Sequence, residues 1–162
     1  MSEAPPAVSR LRREVTTMVL YVCVVLMATI AAVPEDGLDE AYEVMGVLWG
    51  GAVGLAVAHW FSFNAAAQLY SGGRLDAEDL ETGFAQAAAA LLIATVCTVP
   101  LFLSNDEWAA VVSIVALAAI ITTVGYVASR HAGLARHKAV LRAALTLAAG
   151  ILVAFVKLAL GH

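Results

Sequence analysis

The sequence has few charged residues for its length. Only 14% of its 162 residues are charged, whereas about a quarter are charged in ordinary soluble domains. The hydrophobic content of 62% and the mean hydropathy of +0.87 also depart from a soluble composition. These values exclude an ordinary soluble domain and predict a chain that is surrounded by lipid.

Cysteine is scarce, and the common catalytic motifs are absent. Cys23 and Cys97 lie in separate apolar segments without a CxxC spacing, so we expect two buried thiols with no metal and no disulfide. There is no glycine-rich phosphate loop, serine nucleophile elbow or zincin helix. We therefore expect no enzyme activity, no catalytic residue and no cofactor. The nine basic residues are too few for a nucleic-acid partner.

Five long apolar segments, separated by short polar loops, make up most of the chain. Each is close to the ~20 residues that a helix needs to cross ~30 Å of hydrocarbon. The sequence thus predicts an all-α integral membrane protein, a single domain over residues 1–162 in which five transmembrane helices form a compact bundle. The predicted spans are residues 15–33, 44–69, 84–103, 108–129 and 139–160.

The basic residues are distributed unevenly between the two sides of this predicted bundle. With the amino terminus inside, only Lys157 lies towards the outer side. The positive-inside rule therefore predicts a cytoplasmic amino terminus and an outer carboxyl terminus. We expect the protein in the bacterial plasma membrane, with the lipid bilayer as a partner. The predicted inner residues are Arg10, Arg12, Arg13, Arg74, Arg130, Arg136, Lys138 and Arg142.

The predicted outer loops are acidic. Their negative potential would concentrate cations at an outer mouth. Several of these carboxylates also stand where helices begin, and there they would satisfy free amides and the helix dipole. A mouth that recruits cations and a set of helix caps are both open interpretations. The outer carboxylates are Glu35, Asp36, Asp39, Glu40, Glu43, Asp106 and Glu107.

A stripe of small residues occupies every fourth position of the second segment. In lipid, such a stripe allows two helix backbones to approach closely, as in the GxxxG contact. Shorter stripes in the third and fifth segments offer partners within the chain. Packing within the chain and formation of a homo-oligomer are both open. The small-residue stripe consists of Gly46, Gly50, Gly54, Ala58, Ser62 and Ala66, and the shorter ones of Gln86-Ala90-Ala94-Thr98 and Thr146-Gly150-Ala154.

His59 lies near the middle of the second segment, with Asn64 and Gln68 nearer its predicted cytoplasmic end. An ionisable residue at that depth usually faces protein or water and marks a functional site. Histidine can move a proton or bind a transition metal. No other His, Asp or Glu lies deep in a segment, and the two cysteines are expected to be buried apolar thiols, so we expect no metal site within one subunit. A proton or ion path, a neutral packing role and a metal ligand shared across a dimer are all open.

Two further features predict local structure. Pro100 removes a backbone hydrogen bond and should kink or end the third helix. Hydroxyl groups within the segments are expected to bond to carbonyls of their own helices. These hydroxyl residues are Thr95, Thr98, Ser113, Thr122, Thr123 and Thr146.

The five spans, Pro100 and the spacing of glycine and arginine in the last hairpin resemble the carboxyl-terminal half of the vacuolar iron transporter family. The resemblance covers about 80 residues. It implies a dimer that exchanges ferrous iron or related divalent metals for protons. The family's buried Asp in the first span is absent, and Phe63 and Asn64 stand where its Met ligand would be sought. The spaced residues are Gly125, Arg130, Gly133, Arg142, Gly150 and Gly161.

Two functions follow from these features. The first is a transporter or channel for a proton or small cation, including a divalent metal, with His59, Asn64 and Gln68 along the pathway. The second is a non-transporting scaffold or accessory subunit, in which the small-residue stripe is the functional surface.

Overall fold

The computed structural model describes residues 6–33, 40–70, 77–103 and 108–160. Within these ranges the chain forms five α-helices. Each helix provides a stretch of 21–26 residues that is long and apolar enough to cross a membrane, and the stretch that starts in α3 continues past the end of that helix. The prediction of an all-α chain with five such helices is confirmed for these ranges. The helices are α1 (Pro6–Ala32), α2 (Ala41–Tyr70), α3 (Ala77–Thr98), α4 (Ala109–His131) and α5 (Arg136–Leu160).

α1 is the central helix of the bundle. It packs against all four other helices, while α2 pairs with α3 and α4 pairs with α5. Seven residues of its apolar segment are buried and form much of the core, because their side chains face the neighbouring helices. The buried α1 residues are Met18, Val22, Cys23, Leu26, Met27, Ala28 and Ile30.

Consecutive helices run in opposite directions. Gly51, early in α2, lies against Leu26 late in α1, and Gly125 late in α4 lies against Ala143 early in α5. The starts of α1, α3 and α5 therefore share one end of the bundle with the ends of α2 and α4. We call this the basic end, because it gathers Arg10, Arg12, Arg13, Arg130, Arg136, Lys138 and Arg142. Arg74 lies outside the described residues.

Small residues set the closest helix contacts. A Cβ on Gly51 would lie 2.5 Å from Leu26 Cδ2, and one on Gly150 would lie 3.1 Å from Met27 Cε. The shorter stripe of α3, from Gln86 to Thr98, is buried along its whole length. α1 can thus carry large side chains at its centre because its neighbours present small ones.

α3 ends at Thr98 and continues as a short 3-10 helix, Val99–Leu103, which contains Pro100. The prediction that Pro100 ends or kinks this helix is confirmed. The turn between α4 and α5 is closed differently. Gly133 has a φ of 78°, and the next N–H, that of Leu134, donates to the Ser129 carbonyl at 3.2 Å. This is the arrangement of a Schellman C-cap, and it folds α5 back on α4.

The threonine hydroxyls in the spans behave largely as predicted. Those of Thr95, Thr98, Thr122 and Thr146 donate to carbonyls of their own helices at 2.8–2.9 Å. Thr98 also accepts a 3.0 Å hydrogen bond from Trp49 Nε1, which joins α2 to α3. For Ser113 the prediction was wrong, since its buried Oγ has no partner among the described residues.

These two hydroxyls should respond oppositely to removal. Ser113→Ala should leave the free energy of unfolding unchanged or raise it by up to about 1 kcal/mol, because it removes an unsatisfied buried group. Thr98→Val should lower it by about 1 kcal/mol, because the indole N–H of Trp49 loses its acceptor. Unfolding in detergent, followed by circular dichroism, measures both. A clear loss of stability in Ser113→Ala would show that its hydroxyl is bonded.

Candidate functional site

His59 is joined through hydrogen bonds to two other helices. Its Nε2 bonds to Oε1 of Gln86 on α3. Nε2 of Gln86 in turn donates to Oε2 of Glu14 on α1 at 3.1 Å. Gln86 is 3% exposed, and the two residues it connects are half-buried. The structure thus contains a polar chain, Glu14–Gln86–His59, that crosses three helices.

The chemistry of the three groups fixes where the hydrogens lie. An ionised carboxylate can only accept, so the Gln86 amide nitrogen must face Glu14 and the amide oxygen must face His59. That oxygen can also only accept, so Nε2 of His59 carries the hydrogen. Nδ1 is then the nitrogen that can take up a further proton.

Close packing of α2 on α3 holds His59 at the level of Gln86. Trp60, the neighbour of His59, packs against Phe84 with ring centroids 5.2 Å apart. The same indole covers Gly83, where a Cβ would lie 3.0 Å from Trp60 Cζ3. A larger residue at Gly83 would push the helices apart at the level of the polar chain. The aromatic next to His59 therefore fixes its approach to α3.

Arg10 lies between Glu14, the acidic member of the polar chain, and Asp79 near the start of α3. Its Nε lies 3.8 Å from Glu14 Oε1, and its Nη2 lies 3.6 Å from Asp79 Oδ1. Both distances exceed a hydrogen bond. The arginine is half-exposed, so each pair contributes little to stability. The two ion pairs matter more for the local charge, because the Arg10 guanidinium lies between the carboxylates of Glu14 and Asp79.

A cavity of about 430 Å³ lies beside the polar chain, in the half of the bundle nearest the basic end. Gln86 and Met18 are its most buried lining residues, whereas three α1 residues on its open side are exposed. The volume is within the range of small-molecule sites. Such a space can hold water or a ligand against Glu14 and His59. Its lining consists of Arg13, Glu14, Thr17, Met18, Tyr21, His59 and Gln86.

The structure brings His59 into this site but not the other predicted pathway residues. Nδ2 of Asn64 donates to the Trp60 carbonyl of its own helix at 2.8 Å, and Gln68 is exposed near the end of α2. Sequence reasoning missed Glu14, which stands one residue before the predicted first span. It assigned Gln86 to packing alone. The signal that could have found both is their polarity near the predicted inner ends of two apolar segments.

The predicted outer mouth is only partly described. Glu35, Asp36, Asp39, Asp106 and Glu107 lie outside the described residues. Glu43 Oε2 accepts the backbone N–H of Glu40 at 3.2 Å. Since this is the side-chain contact of a capping box, the two described acids form a helix start.

The small-residue stripe faces away from the bundle. All six of its residues are exposed, and no atom of another helix lies within 4 Å of the position that a Cβ on Gly46, Gly50 or Gly54 would take. No helix of the described ranges covers this face. The shorter stripes, by contrast, are largely buried inside the bundle.

No family model, no curated protein and no solved structure matches this chain. The resemblance to the vacuolar iron transporter family therefore stays a prediction. Within the described ranges, no group of three or more His, Cys, Asp or Glu residues is arranged to hold a metal ion. The polar chain and its cavity are the features on which a functional proposal can be built.

Gln86→Leu should change the state of the His59 ring. Without the amide oxygen, Nε2–H loses its acceptor, and the preference for the Nε2–H tautomer should disappear. Nitrogen-15 NMR of labelled histidine measures this, with the His59 signals assigned by their loss in His59→Ala. Gln68→Leu is the matched control, because that glutamine is exposed and does not belong to the polar chain Glu14–Gln86–His59. Dominance of the Nδ1–H tautomer in the wild-type protein would contradict the assigned hydrogen positions.

Proposed function

We propose that this protein is a multi-pass membrane transporter or channel for a proton or small cation, with His59 as its central polar group. The observation that supports it is the chain Glu14–Gln86–His59 beside the cavity of about 430 Å³. All three residues lie within the candidate membrane spans. Polar and ionisable groups at such positions are costly in lipid and commonly serve substrate or proton pathways.

We place the protein in the bacterial plasma membrane, with the amino terminus in the cytoplasm. The support is the collection of basic side chains at the end of the bundle where α1 begins. The positive-inside rule puts that end in the cytoplasm. In this orientation the cavity lies in the inner half of the membrane, so ions reach the polar chain from the cytoplasmic side.

The chemistry of the chain suits a proton best. His59 can take up a proton at Nδ1 while Nε2 keeps its bond to Gln86. Gln86 also keeps its hydrogen bond to the Glu14 carboxylate. Loss of the proton restores the neutral ring without rearranging the chain. The family resemblance implies a divalent metal as an alternative cargo.

Ion flux into proteoliposomes tests the proposal. Protons, K⁺, Na⁺, Fe²⁺ and Mn²⁺ are offered separately, and the wild-type protein should carry at least one of them. His59→Ala should reduce that flux to the level of protein-free liposomes, because the group that receives the proton or ion is gone. Gln86→Leu should reduce it as well, because His59 is then disconnected from Glu14.

His131→Ala is the matched control for this experiment. His131 lies at the end of α4, where its Nδ1 bonds to the Val127 carbonyl of the same helix at 3.0 Å. Its removal should leave flux unchanged. Absence of flux for every ion, from protein that is folded by circular dichroism, would contradict the transport proposal.

The second candidate is a non-transporting scaffold or accessory subunit that assembles through the small-residue stripe. The observation that favours it is the outward direction of the stripe, which has open space at Gly46, Gly50 and Gly54. Without a hydrophobic force between helices in lipid, close backbone contact is a main source of association. We propose a homo-oligomer joined at this face, which is compatible with either function.

Two adjacent glycines separate association from folding. Gly50→Leu should weaken self-association and leave the fold intact, because a side chain there meets only open space within one subunit. Gly51→Leu should destabilise the fold, by about 1–3 kcal/mol for an overpacked core, because it meets Leu26. Cross-linking in liposomes measures association, and thermal unfolding measures stability. A Gly50→Leu protein that still self-associates like the wild type would exclude the stripe as the interface.

A further inference from the structure

The open side of the cavity carries a pair of opposite charges that neither proposed function uses together. We propose that it binds the phosphoethanolamine headgroup of a membrane phospholipid from the leaflet at the basic end. The inference rests on the membrane placement proposed above and is independent of transport. It follows from the partners of Arg13 and Glu14, and from the direction of the α1 face on which they lie.

Arg13 is available to an anion. It lines the cavity and is exposed, and it has no ion pair among the described residues. Its neighbour Arg10, in contrast, lies near both Glu14 and Asp79. A guanidinium with free donors matches the geometry of a phosphate, which it can bind through two parallel hydrogen bonds.

Glu14 supplies the complementary charge. Its Oε2 accepts from Gln86, but its Oε1 is 3.8 Å from the Arg10 Nε, beyond hydrogen-bond distance. Oε1 can therefore accept from an incoming ammonium group. Because Arg13 and Glu14 both line the cavity, their guanidinium and carboxylate match the two charges that phosphoethanolamine carries on either side of its ethylene link. Choline lipids have no N–H to donate, and glycerol lipids have no cation.

The α1 face along the cavity changes from polar to apolar in the direction that a lipid requires. Arg13, Thr17 and Tyr21 are four residues apart, so they lie on one side of the helix. Tyr21 is 52% exposed and stands about 12 Å further from the basic end than Arg13, at 1.5 Å per residue. Met18 lines the buried side. A headgroup at Arg13 would thus direct its acyl chains along Tyr21 towards the membrane centre.

The cavity is also suited to a headgroup in size. About 430 Å³ is large enough to hold an organic headgroup. The other basic residues at this end attract anionic lipids generally, at about 1 kcal/mol per charge. Glu14 is the group that would make binding selective for a lipid with an amine headgroup.

Binding is measured by native mass spectrometry of delipidated protein in detergent, titrated with short-chain phosphatidylethanolamine, phosphatidylcholine and phosphatidylglycerol. The wild-type protein should prefer the ethanolamine lipid. Glu14→Gln should remove that preference by about tenfold, which is the loss of one charge-assisted hydrogen bond. Arg13→Gln should weaken all three lipids by a similar factor, because each of them loses the phosphate contact.

Arg12→Gln is the matched control, since Arg12 is an exposed neighbour that does not line the cavity. It should bind the ethanolamine lipid as the wild type does. Equal losses in Arg12→Gln and Arg13→Gln, or equal binding of the three lipids, would overturn the proposal in favour of general electrostatic attraction. Free phosphoethanolamine that binds as tightly as the lipid would also overturn it, because the ligand would then be soluble.

Failure of this inference can be distinguished from failure of the proposals on which it depends. A protein that is soluble without detergent would refute the membrane placement, and the lipid site with it. Absent ion flux combined with ethanolamine-specific binding would leave the lipid site standing and refute transport alone. Thermal unfolding of each variant shows whether a binding loss reflects a damaged fold.

Discussion

The structure depends on the placement of one helix with large side chains among neighbours that present small ones. Leu26 and Met27 of α1 have room because Gly51 approaches from α2 and Gly150 from α5. Where hydrophobicity does not drive apolar helices together, such close contacts are a principal source of attraction. The centre of the bundle is therefore held mainly by close apolar contacts.

This packing changes towards the basic end. There α1 carries Arg10, Arg13 and Glu14, and the apolar core gives way to hydrogen bonds between helices and to a cavity. Gln86 belongs both to the packed core and to the polar region, because it begins the buried stripe of α3 and also joins His59 to Glu14. The packing of α3 against α1 and α2 thus also brings the amide within reach of both groups. Packing and the proposed chemistry share one cause.

The outward and inward stripes show that the same pattern can have opposite roles. The long stripe of α2 is the stronger in sequence, yet it is exposed, whereas the shorter stripe of α3 is buried. The spacing of small residues identifies a helix surface suited to close contact. It does not say whether that surface packs inside the bundle or faces outward. That depends on the rotation of each helix, which is set by all its neighbours at once.

The sequence alone determined the number of helices, their approximate limits and the break at Pro100, because segment length, hydropathy and the missing proline N–H are local properties. It also indicated His59, since an ionisable residue in an apolar segment is visible without a fold. Only the tertiary structure decided that Glu14 and Gln86 accompany it, and that Asn64 and Gln68 do not. Glu14 is 72 residues from Gln86 along the chain, and their contact depends on how three helices are placed and rotated. No local pattern encodes that arrangement.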